Sequence, residues 1–142
     1  MRSIILWIWQ LPQHILALIL IRALKATKHK TNDITWFLFL PKGRISRFLS
    51  GVSLGDYILL RRQDYTTIRH EYGHSKQSLY FGPLYLIVIG IYSAIFCNLW
   101  SRWFHGHKTR FDRLSWYYSR WTEAWADRLG NVDRLSWLEA MR

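Results

Sequence analysis

At 142 residues the chain has the length of one domain, and half of it is hydrophobic, which excludes a multi-domain machine and a disordered chain alike. Lys and Arg number 20 against 9 Asp and Glu, and the net charge of +11 favours anionic partners, either nucleic acid or phospholipid headgroups. The single cysteine, Cys97, excludes an internal disulfide framework and any zinc site built from several thiolates.

Residues 4–21, IILWIWQLPQHILALILI, read as an uncleaved apolar anchor or an interfacial helix. No small-residue cleavage site follows, and Arg22, Lys25, Lys28 and Lys30 supply a basic flank. Gln10, Pro12, Gln13 and His14 interrupt the run, which implies a kink at Pro12 and glutamines that pair with other helices. Residues 34–40 and 57–60 are β-branched or aromatic and predict two strands, joined by a basic, turn-rich connection over 43–51. Asp64, Thr66 or Thr67 can cap a helix over about 66–81, closed by Gly82-Pro83. Residues 83–100, PLYLIVIGIYSAIFCNLW, form the second strongly apolar stretch. As one straight helix it would be about 27 Å long, barely a bilayer core. The tail is rich in Trp and Arg and predicts a helix within 116–130 that stops at Gly130-Asn131. DRLSW occurs at 112–116 and again at 133–137, where Asp suits the start of a helix, and no function is assigned to it.

The chemistry concentrates in His70-Glu71-Tyr72-Gly73-His74. On a helix, residues four apart lie one above the other, so both imidazoles can reach one Zn²⁺ from the same face. Glu71 sits beside that face, where a general base for a zinc-activated water belongs. A catalytic zinc usually takes three protein ligands, and Glu123 and Asp127 offer carboxylates one helical turn apart. Glu123 can be the third ligand, while Asp127 can accept the free ring N–H of a ligating His. Their apolar neighbours Trp121, Ala124, Trp125 and Ala126 argue against an ordinary solvated acidic face. Tyr118, or its neighbour Tyr117, can donate to the oxyanion of a tetrahedral intermediate, although aromatic packing explains either one as well. His105 and His107 read as a basic loop rather than a second metal site, and Cys97 as a small buried hydrophobe.

H-E-x-x-H followed by E-x-x-A-D resembles the gluzincin metallopeptidases, the class of thermolysin and of the integral-membrane peptidases related to the CAAX-prenyl protease. The wider pattern HEYGH…GPLYL…TEAWADRLG is similar to small uncharacterised bacterial membrane proteins with the same two helices. The resemblance implies His70 and His74 as metal ligands, Glu71 as catalytic glutamate, Glu123 as third ligand and Asp127 as the aspartate behind a ligating histidine. The fold class expected is α+β, mostly helical. Its zincin-like core would join two metal-bearing helices to a small β-sheet, with apolar membrane-embedded helices added, all in a single domain over 1–142.

The ligands flank residues 83–100, so a shared metal requires that stretch to enter the bilayer and turn back, with Gly90 the natural bend, or to lie along the interface. Basic segments on both sides of it favour the cytoplasmic face of a bacterial inner membrane and contact with anionic lipid. The function expected is a membrane-embedded zinc metallopeptidase acting on peptides or membrane-proximal proteins, which would add to an open sheet edge such as 57–60. The alternative is a non-catalytic, zinc-stabilised membrane scaffold or partner subunit. A nucleic-acid partner is not expected, because no base-reading motif accompanies the charge.

Overall fold

The structure is a computed structural model that describes residues 4–31, 34–39, 51–105 and 107–140. Two helices open the chain, α1 (Ile4–Trp9) and α2 (Leu11–Ala23), with Pro12 in the first turn of α2, where its missing N–H costs nothing. Four strands follow: β1 (Thr27–Thr31), β2 (Ile34–Leu38), β3 (Gly51–Leu54) and β4 (Tyr57–Leu60). They form one sheet in the order β1-β2-β4-β3. β2 and β4 are parallel, and the two outer pairings are antiparallel. β3 and β4 make a tight hairpin whose turn needs Gly55 at a φ of +64°.

The predicted strand over 57–60 is therefore an interior strand, and the outer strand beside the candidate site is β3. β1, with the polar sequence TKHKT, has no alternating apolar face to announce it; the His29 ring stacks on Trp36 at 4.7 Å instead. Nearly all of the 43–51 connection, and residue 40 of the strand predicted over 34–40, lie outside the described residues.

The long helix α3 (Tyr65–Phe81) starts on Asp64, whose carboxylate accepts from the Thr67 backbone N–H at 3.0 Å. Ile68 and Tyr72, one turn apart, pack on Ile34, Trp36, Ile58 and Leu60 and fasten α3 to the sheet. A short 3₁₀ turn, Gly82–Leu84, leads into a π-helix over Leu86–Leu99 and then α4 (Trp100–His105). Three helices complete the chain: α5 (Arg110–Tyr118), α6 (Trp121–Gly130) and α7 (Arg134–Glu139). α6 ends where Asn131 takes a left-handed conformation, φ 56°. Thr109 caps α5 and Asp133 caps α7, so the two DRLSW copies both sit at helix starts, in different registers.

The expected class needs correction. The protein is a mixed fold of helices and a small four-stranded sheet, but among the described residues no helix is long and apolar enough to cross a membrane. The expected bend at Gly90 is also absent, since the π-helix runs through that residue unbroken. Residues 4–21 divide into two helices, with Gln10 between them, instead of forming one anchor. Gln10, Gln13 and His14 are fully buried. The Gln10 amide donates to Ser78 Oγ and the Gln13 amide to the Gly82 carbonyl, which ties the N-terminal helices to the end of α3.

Candidate metal centre

α3 and α6 cross at van der Waals distance because glycine stands at both contacts. A Cβ on Gly73 would strike the Ala126 carbonyl oxygen, and one on Gly130 would strike the Arg69 carbonyl oxygen. Side chains of α3 then complete the crossing. Arg69 Nε donates to the Gly130 carbonyl at 2.7 Å, Lys76 Nζ to the Leu129 carbonyl at 3.0 Å, and the Gln77 amide to the Thr122 carbonyl at 2.8 Å. The first two satisfy carbonyls at the C-terminus of α6, where positive charge also complements the helix dipole.

This crossing brings His70, His74 and Glu123 together, all buried, with one ligand-type atom of each within 4.8 Å of the others. Both rings are fixed from behind. His70 donates through Nδ1 to Asp127 Oδ1 at 2.7 Å, and His74 through Nδ1 to Gln77 Oε1 at 2.7 Å. Each ring therefore turns Nε2 inward, towards Glu123 Oε2, at 3.2 Å for His70 and 3.5 Å for His74. The carboxylate is oriented too: Ser93, on the π-helix, donates to Glu123 Oε1 at 2.6 Å. Glu123 Oε2 is buried, and the groups facing it are the two ring nitrogens. A carboxylate oxygen so placed fits a bound cation, and the cluster can hold a metal ion.

Asp127 also binds Arg134 at the start of α7 through two bonds, 2.8 Å from Nε and 2.6 Å from Nη2. The electrostatics follow from this packing. Burial opposes a charge on His70, but Asp127 and Glu123 outweigh it and raise the ring to about 9. Burial likewise works against ionising Glu123, yet the two histidines hold it well below the usual carboxylate range. For Glu71 burial wins and the carboxyl is pushed up, in the direction that suits a proton acceptor near neutral pH. Glu71 Oε1 occupies the space that a Cβ on Gly51 would fill, so the end of strand β3 abuts the prospective base.

Tyr118 places its ring 5.4 Å from that of His70, edge-on, with the Arg134 guanidinium 3.5 Å above it. Burial pushes its hydroxyl up to about 12, so it keeps its proton. Burial pushes the Tyr117 hydroxyl well above its ordinary range. Cys97 is buried against Thr122 at 3.8 Å, and burial pushes its thiol up to about 12. His105 packs on Trp116 at 4.7 Å and lies apart from this cluster, which is the one group of three metal-ligating side chains among the described residues.

Sequence reasoning missed Ser93, Gln77 and Arg134. Gln77 had a usable signal, an amide three residues beyond His74 on the same helix. No family model matches the chain, and no curated protein or solved structure is similar to it.

Proposed function

We propose that the chain is a zinc-dependent metallopeptidase. One observation carries the reading: two Nε2 atoms and one buried carboxylate oxygen converge, each residue held by a partner behind it, with a second, burial-raised carboxyl alongside. A tetrahedral ion bonded at about 2.0–2.1 Å spaces its ligand atoms about 3.3 Å apart. The 3.2 and 3.5 Å separations here suit that ion, and the N,N,O donor set suits zinc.

When bound, zinc supplies Lewis acidity, which lowers the pKa of water and polarises a carbonyl. The chain's own groups do the rest. Glu71 accepts the proton as water adds to the peptide carbonyl, and returns it to the leaving amine nitrogen as the C–N bond breaks. Tyr118, with its proton retained, stands beside His70 as the donor for the developing oxyanion. The substrate's backbone would meet the Gly51 end of β3, next to Glu71; two residues on, the outward Ser53 carbonyl is already taken by Tyr85 Oη at 3.1 Å.

The test is hydrolysis of a quenched fluorescent peptide library by the zinc-loaded chain and its Glu71→Gln variant, with zinc content measured on both. The expected result is turnover in the parent and none above background in the variant, at equal zinc content. Zinc in both with turnover in neither would assign a non-catalytic structural zinc instead.

A further inference from the structure

We propose that the apolar surface formed by α1, the Gly82–Leu84 turn and the π-helix with α4 rests on an anionic phospholipid bilayer, with no helix crossing it. The exposure is extreme for a folded chain. Ile4 and Ile5 are each 77% exposed, Ile87 63% and Trp103 86%. Isolated apolar residues on a surface are ordinary, but contiguous ones mark a binding face.

Contacts around the turn make the face continuous. Trp9 donates its indole N–H to the Leu79 carbonyl at 3.0 Å, and Ile5, Ile8 and Trp9 share an apolar groove with Pro83. Leu84 and Ile87, both exposed, carry the surface onto the π-helix. There Ile87, Ile91, Ile95 and Leu99 recur every four residues and are all exposed. Ile89 and Cys97 of the same helix are buried, and Ser93 reaches Glu123. A helix apolar on every side is normally buried all round. This one covers the metal centre with one side and leaves the other bare.

Charge selects the occupant. Exposed Arg22, Lys25, Lys28 and Lys30 follow the bare residues Leu18 and Ile19 of α2, and exposed Lys108 and Arg110 follow Trp103 and Phe104 of α4. The arm runs from Leu99 through Trp100 and Trp103 to Lys108 and Arg110: aliphatic, then tryptophan, then cationic, the order of groups met on leaving a bilayer through its headgroups. A net charge of +11 opposes a second copy of the chain and is attracted to anionic lipid. The face stands on exposure and charge, independently of the peptidase reading.

The experiment is co-sedimentation of the full chain with vesicles of phosphatidylcholine alone or with equimolar phosphatidylglycerol. Anionic vesicles should bind it at least about tenfold more strongly, and added salt should narrow the gap. The Ile87→Asp/Ile91→Asp variant should lose about tenfold or more of that binding with an unchanged circular dichroism spectrum. Acyl chains brominated near the headgroup should quench the tryptophan fluorescence of the unmodified chain, a readout that needs no variant. Equal binding by variant and parent, or unquenched tryptophan with no vesicle binding, would overturn the proposal. A lipid-independent dimer that fails to bind vesicles would do so as well, and would give the face to a second copy.

Discussion

The α3–α6 crossing and the π-helix–α4 arm are built on opposite physics. At the crossing, backbones touch through Gly73 and Gly130, and the buried groups are polar or charged, each held by a named partner. Along the arm, aliphatic and aromatic side chains are bare, and Gly90 has nothing nearer to a hypothetical Cβ than the Tyr85 carbonyl oxygen at 3.8 Å. Precision at the first costs freedom: almost any added atom must collide. The second tolerates change in the isolated chain, because its outward side is exposed among the described residues. A site that must hold three ligand atoms in place belongs on the first kind of surface, and a face that meets a fluid partner belongs on the second.

Substitutions can break this contrast. Removing a ligand should have the largest effect: His74→Ala should weaken zinc binding by more than the roughly 10–100-fold typical of outer partners, as measured by competition with a chromophoric chelator. Gly73→Ala should follow, since its methyl meets backbone and not a yielding side chain. It should destabilise the fold by about 1–3 kcal/mol or more in urea unfolding. Ser93→Ala leaves the three ligands in place but frees Glu123 Oε1, and should weaken zinc binding by about 10–100-fold with little change in unfolding midpoint. The smallest effect sharpens the contrast from the other side. Gly90→Ala adds the same methyl to a helix with room for it, and should be neutral or stabilising by up to about 1 kcal/mol. Equal losses from Gly73→Ala and Gly90→Ala would erase the distinction between the two regions.

Much of the centre is legible in the sequence through helical geometry. His70 and His74 share a face because they are four residues apart, and the scarcity of acids singles out Glu123 and Asp127. The structure brings these four together, with Asp127 behind His70. Strands 34–38 and 57–60 announce themselves through β-branched and aromatic residues, and the helix at 65–81 through its Asp64 cap. Three features stay hidden for different reasons. β1 is polar throughout, so no periodicity marks it. Ser93 lies in a run whose hydropathy says only that it is apolar, and its role arises from a helix–helix contact thirty residues away in sequence. Residues 83–100 read as apolar, but hydropathy cannot distinguish a helix surrounded by lipid from one that lays one side on a protein core, and no described helix is long and apolar enough to cross a membrane.

A metallopeptidase requires that His70, His74 and Glu123 close around one metal ion. The most direct test of that requirement is cobalt(II) titration followed by visible absorption, since a four-coordinate site gives intense d–d bands. Saturation at one ion per chain, displacement by zinc, and loss of the bands in Glu123→Ala are expected. An unchanged spectrum in that variant, or no saturable binding by the parent chain, would contradict it.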